Sequence, residues 1–256
     1  MKIGMFDSGI GGLSTLRNLL CMRHDLEVFY WADDAHAPYG SKSDEYVKDR
    51  SKAIVKIFES MGIELVVVAC NTATAMAIED LRASFPHMTL VGVEPYVNVI
   101  NHIPWQKEHR AVILTTPLTG QSERFCRLRE RLDPDNKLDH FSCPTMAKLV
   151  EHAFWHKDTQ LAQKIQLELA PIKDRNYQYV ILGCTHYPLV GHYIQQALGA
   201  EVISPCSAIS KRVLSLLKLE SLPAGTQSVK FMFARSSKGE QFSPMEFSCN
   251  GPWPEL

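Results

Sequence analysis

The chain has 256 residues, enough for one large or two modest domains, and its 45% hydrophobic and 21% charged residues are ordinary globular composition. A formal net charge of −1 leaves no basic surplus to draw nucleic acid or an anionic membrane. No apolar run approaches the roughly 20 residues of a membrane span, and Met1 to Asp7 read as a strand meeting an acid rather than a secretion signal, so a cytoplasmic location is expected.

Lys2 to Phe6 reads as a first strand running into Asp7-Ser8-Gly9-Ile10-Gly11-Gly12, after which Leu13, Leu16, Leu19 and Leu20 take a helical period. A glycine-rich strand-to-helix turn can bring backbone N–H groups close to an anion, although neither the dinucleotide spacing nor the Walker lysine is present. Asp7 can cap the helix, hold an ammonium or orient a thiol. Glu27 to Ala32 is a second strand, followed by Pro38-Tyr39-Gly40-Ser41-Lys42-Ser43 and a helix to about Met61 that Gly62 ends. Leu65 to Ala69 is a buried strand that delivers Cys70, and Thr72 or Thr74 is the expected cap of the helix that follows. Thr89 to Val93 is a further strand, with a crossing to a second half near Glu94 to Arg110.

The pattern then repeats. Ala111 to Thr115 and Lys137 to Phe141 read as strands, with helices over Ser122 to Leu132, around Leu149 to His152 and over Thr159 to Ala170. Tyr179 to Leu182 is a strand that delivers Cys184, and a helix is expected from Pro188 to Leu198. Glu201 to Ile203 and Val229 to Phe233 are late strands flanking a helix over Ile209 to Leu219, and residues 236–256 read as a peripheral tail. Strands and helices in alternation give an α/β fold with mainly parallel sheets in two similar lobes.

Seven cysteines, at 21, 70, 126, 143, 184, 206 and 249, are odd in number and scattered, which argues against a disulfide framework and against a zinc site; no metal ligand set is expected. Most read as small buried hydrophobes. Cys70 and Cys184 differ because each ends an apolar strand, where open α/β sheets bind ligands, and a helix starting just beyond would favour the thiolate. Taken singly, a buried cysteine, a histidine such as His186, a helical Glu151 or a Tyr39 is better explained by packing or solvation. Their joint occurrence reverses that reading.

These motifs, with Gly92-Val93-Glu94-Pro95, Thr116-Pro117-Leu118-Thr119 and Leu182-Gly183-Cys184-Thr185-His186-Tyr187-Pro188, resemble the cofactor-independent aspartate/glutamate racemase superfamily, its glutamate racemases in particular. The resemblance implies two α/β lobes, residues 1–97 with 208–256 and residues 98–207, around a central cleft. It implies catalytic roles for Cys70, Cys184, Asp7, Glu151 and His186. Substrate contacts fall on Asp7, Ser8, Pro38, Tyr39, Gly40, Asn71, Thr72, Thr119, Thr185 and His186. It implies no cofactor, glutamate as small-molecule substrate, D-glutamate for bacterial peptidoglycan as product, and a homodimer as an allowed assembly. The sequence departs from the superfamily at Ser204-Pro205-Cys206-Ser207-Ala208, at Thr115-Thr116 and beyond Phe233.

Racemisation removes a weakly acidic α-proton from one face and returns one to the other, so a thiol on each face meets the geometric need. A thiol's ordinary pKa of about 8.5 lies close enough to neutrality to be tuned. The rivals are an aspartate racemase or another superfamily member, a cysteine hydrolase using one thiol, and a non-catalytic amino-acid-binding protein.

Overall fold

Lys2–Asp7 forms β1, a strand buried along all but its first residue, and the chain turns directly into α1 (Leu13–Met22) and β2 (Glu27–Ala32). The structure is a computed structural model that describes residues 2–104, 106, 109–222 and 228–249. Helix α2 (Asp44–Ser60) starts where Ser43 Oγ accepts from the Tyr46 amide, carries Asp44 and Glu45 in its first turn, and buries Val47, Ile54, Val55 and Phe58. Gly62 follows it at φ +69°, where a side chain would be strained. β3 (Leu65–Val68) is a leucine followed by three β-branched valines, buried on both faces, as a central parallel strand must be. It is followed by α3 (Asn71–Ser84) and β4 (Thr89–Gly92).

A second series follows: β5 (Ala111–Thr115), α4 (Pro117–Gln121), α5 (Glu123–Leu132), β6 (Leu138–Ser142), α6 (Met146–Trp155), α7 (Leu161–Leu169), β7 (Tyr179–Leu182), α8 (Gly191–Leu198), β8 (Glu201–Ile203) and α9 (Cys206–Leu216). The chain ends in β9 (Ser228–Arg235) and β10 (Ser243–Ser248). Two sheets result. One has the order β10-β9-β2-β1-β3-β4, the other β6-β5-β7-β8. Every pairing is parallel except that of β10 with β9. One apolar cluster runs through both sheets, joining Met5 and Val67 to Leu114 and Leu182. The expectation of an α/β fold with mainly parallel sheets is borne out.

Several local expectations are corrected. The tail is not wholly peripheral, because β10 extends the six-stranded sheet as an edge strand, where Pro244 is tolerated. Cys21 and Cys249 form a disulfide, which fastens the end of β10 to α1; an odd cysteine count had argued against such a bridge. The helix expected over Ser122 to Leu132 is present as α5, capped by the Ser122 hydroxyl, which accepts from the Phe125 amide, but the segment just before it is itself a short helix, α4. The helix expected from Pro188 opens as a 3-10 turn, Tyr187–Val190, before α8. Among the described residues, no helix is long and apolar enough to cross a membrane.

Candidate active site

The carboxyl ends of β1, β3, β5 and β7 meet, and they bring the residues singled out in the sequence into one buried cluster. Cys70 sits two residues beyond β3, and its own thiol is the cap of α3, with Sγ 3.4 Å from the Ala73 amide. Thr72 and Thr74, the expected caps, lie inside the helix. Thr74 instead ties β3 to β4, donating to the Val68 carbonyl and accepting from the Val93 amide. The Cys70 sulfur also lies 3.9 Å from Ser8 Oγ, and Ser8 Oγ lies 3.4 Å from Asp7 Oδ1.

Asp7 joins this group to the other sheet. Its Oδ1 accepts from the Gly9 amide at 3.0 Å, and its Oδ2 accepts from Thr185 Oγ1 at 2.7 Å, next to Cys184. It does not cap α1, which begins after Gly12 without a side-chain cap. Cys184 Sγ lies 3.9 Å from His186 Nδ1, and the far ring nitrogen, Nε2, is 2.8 Å from Glu151 Oε2. The same Glu151 oxygen accepts from the Ile10 amide at 2.9 Å. The anion received by the glycine loop is therefore the protein's own carboxylate. Glycine is needed there for close approach: a Cβ on Gly9 would lie 2.1 Å from Glu151 Oε2, and one on Gly11 would lie 2.5 Å from His186 Nδ1.

Buried hydroxyl and amide groups lie beside this cluster. Thr72 Oγ1 lies 3.1 Å from Thr116 Oγ1 and 3.0 Å from Thr119 Oγ1, and Thr116 and Thr119 are 2.9 Å apart. Thr116 was not among the expected site residues; the Thr-Pro pair that makes it the cap of α4 was its available signal. Asn71 gives its Nδ2 to the Val93 carbonyl at 2.9 Å, which fixes the amide's orientation because a carbonyl can only accept. Its buried Oδ1 has no hydrogen-bond partner. The Tyr39–Ser41 turn packs on this group, with Gly40 so close to Thr116 that a Cβ would lie 2.8 Å from the threonine's. Pro38 leads into that turn. The Tyr39 hydroxyl is not in the cluster; it donates to Asp33, which also pairs with Arg50.

Burial pushes the Cys70 thiol well above its ordinary range, and the Asp7 charge adds to this; the Ala73 amide opposes both. The helix end does favour the Cys70 thiolate, as expected of its amide, but desolvation outweighs it. Cys184 raises Cys70 as well, so the two sulfurs feel one another. Burial also raises Asp7, against the pull of the His186 charge and the hydrogen bonds from Thr185 and Gly9. Burial lowers His186, but its bonds to Cys184 and Glu151 and the charges of Cys184 and Asp7 together lift it well above an ordinary imidazole. Glu151 moves down, because His186, Ile10 and Trp155 outweigh the opposing effect of burial. A histidine raised in pKa beside one thiol, and burial next to the Asp7 carboxyl around the other, make an acid–base pair with unlike halves.

The family model for Asp/Glu/hydantoin racemases matches residues 15–213. The chain is 37% identical over 224 residues to the glutamate racemase of Aliarcobacter butzleri, covering 84% of each. It is 34% identical over 241 residues to that of Pseudomonas aeruginosa, covering 93% of this chain and 90% of that one. Its fold is similar to the Escherichia coli glutamate racemase solved with L-glutamate and the activator UDP-MurNAc-Ala, with TM-score 0.80 and 28% identity over 91% of this chain and 88% of that one. The Francisella tularensis glutamate racemase solved with D-glutamate has TM-score 0.74 at 25% identity, over 92% and 88%. With matches that run through both sheets and both cysteine-bearing strand ends, the chain belongs to the Asp/Glu/hydantoin racemase family.

Proposed function

We propose that this protein interconverts L- and D-glutamate without a cofactor, using Cys70 and Cys184 as the two acid–base groups, and that its product is D-glutamate for peptidoglycan. The observation that carries the reading is the buried polar path from Cys70 through Ser8, Asp7 and Thr185 to the strand end that holds Cys184. The relatives' names and the bound glutamate of two similar structures support glutamate over aspartate. The lobes are taken as residues 1–97 with 208–256 and residues 98–207, with the substrate between them.

In one direction the Cys184 thiolate, stabilised by the His186 imidazolium, removes the α-proton while the Cys70 thiol delivers a proton to the opposite face. In the other direction the roles exchange. Each turnover leaves the sulfurs in swapped protonation states, and the next substrate of opposite hand, or proton transfer through Asp7 and His186, resets them. The carbanion is met by oriented dipoles in a water-poor site, where they act most strongly. The unpaired Asn71 Oδ1 is an acceptor suited to the substrate ammonium. The hydroxyls of Thr72, Thr116 and Thr119 can turn their donors from one another to a carboxylate, with the Pro38 to Gly40 turn and Ser8 closing the site.

Incubation with either glutamate enantiomer in D₂O, with no cofactor added, tests this reading. Both enantiomers are expected to convert with α-deuteration, and Cys70→Ala or Cys184→Ala is expected to abolish interconversion. Faster turnover of aspartate than glutamate would move the substrate assignment. An acyl-enzyme trapped on a single essential cysteine would replace racemisation by hydrolysis.

A further inference from the structure

The two oxygens of Glu151 have separate tasks. Oε2 accepts from His186 and from the Ile10 amide, whereas Oε1 accepts from the indole Nε1–H of Trp155, one turn further along α6, at 3.2 Å. The Arg235 guanidinium lies over that indole, with Cζ 3.7 Å from the ring centroid. Arg235 is the last residue of β9, and its Nε and Nη2 both lie 2.6 Å from Asp34 Oδ2. Asp34 is itself tied by the Ser237 amide at 3.0 Å and the Ser236 hydroxyl at 3.3 Å. An unbroken line of contacts therefore runs from Asp34 in one half of the molecule, through Arg235 and Trp155, to Glu151, His186 and Cys184 in the other. Cys70, by contrast, is held by Ser8 and Ala73.

We propose that Trp155 and Arg235 are positioning residues for the Cys184 flank alone, aiming the Glu151 carboxylate at His186. A carboxylate bonded through one oxygen can swing about its last torsion. With the indole N–H on Oε1, its plane is fixed and Oε2 stays on the imidazole. A cation over the indole face draws on its π density and makes the N–H a stronger donor. The groups facing His186 are Glu151 from α6, Cys184 beside it, and Asp7 from β1. The inference rests on the two-thiol reading for its catalytic consequence, but not for its effect on His186.

The test is Trp155→Phe, which keeps a ring beneath Arg235 and deletes the N–H. Enantiomers have equal free energy, so kcat/KM must fall equally in both directions, by roughly tenfold or more if misaim of the carboxylate reaches the proton transfer. The α-deuterium isotope effect on kcat should rise for one enantiomer only, the one whose α-hydrogen faces Cys184. Arg235→Lys, which keeps a cation for Asp34 but gives up the planar stack, should produce a smaller change with the same enantiomer. Nitrogen-15 NMR of His186 without substrate should show its pKa lowered in both variants. A lowered His186 pKa in a protein that does not racemise glutamate would sink the proposed activity and leave the positioning role intact. Racemisation reduced with equal isotope effects for both enantiomers, or an unmoved His186, would overturn the positioning role.

Discussion

Burial alone would raise the Glu151 carboxylate above its ordinary value of 4.5, yet the hydrogen bond and charge of His186 and the bonds from Ile10 and Trp155 hold it lower. His186 is the mirror case, lifted above its ordinary 6.5 against burial by Cys184, Glu151 and Asp7. The signs set a window. A lowered carboxylate contributes its stability above its unfolded value and loses it as pH falls through the folded one. A raised histidine contributes below its unfolded value and loses it as pH rises through the folded one. The pair is therefore at full strength between pH 4.5 and 6.5. Urea unfolding of wild type and Glu151→Gln across pH should show the variant's deficit greatest in that window and shrinking on either side. A deficit independent of pH would mean that Glu151 acts through packing instead.

At the scale of elements, the strand ends bearing Cys70 and Cys184 were legible because an apolar run followed by polar residues announces a buried strand and a new helix. Ser8, Thr185, His186 and Glu151 were legible only through the family resemblance, whereas Asp7 already stood out as an acid at a strand end in a glycine loop. The structure brings all five together around the thiols. The sequence hid the Cys70 cap, because a thiol ranks below threonine as an acceptor and two threonines stood nearby. It hid Trp155 as well: four residues after Glu151 on a helix, an aromatic reads as core, and its partner Arg235 comes from a strand far along the chain. Tyr39 was legible as a turn residue but not as the donor to Asp33.

Across the whole molecule, the six-stranded sheet is completed by the last strands of the chain, and the disulfide between Cys21 and Cys249 closes a loop of sequence separation 228. Nothing local encodes such a pairing, and the alternating, partly exposed β10 with its proline has no strong strand signature. In the chain-entropy account a loop of this length limits the stabilisation to roughly 5 kcal/mol. Thermal melts should therefore shift down when the protein is reduced, whereas Cys249→Ser should melt at one temperature with or without reductant. An identical wild-type melting temperature under both conditions would mean that the bridge adds nothing.

The unlike surroundings of the two thiols allow the most direct test of a base on each face. Cys70→Ala and Cys184→Ala, each incubated in D₂O with either enantiomer of glutamate, retain one sulfur that can exchange an α-proton without passing it across. Each variant should deuterate a single enantiomer with retained configuration, and the two variants should choose opposite enantiomers. Exchange of the same enantiomer by both variants, or racemisation by either one, would contradict the two-thiol mechanism.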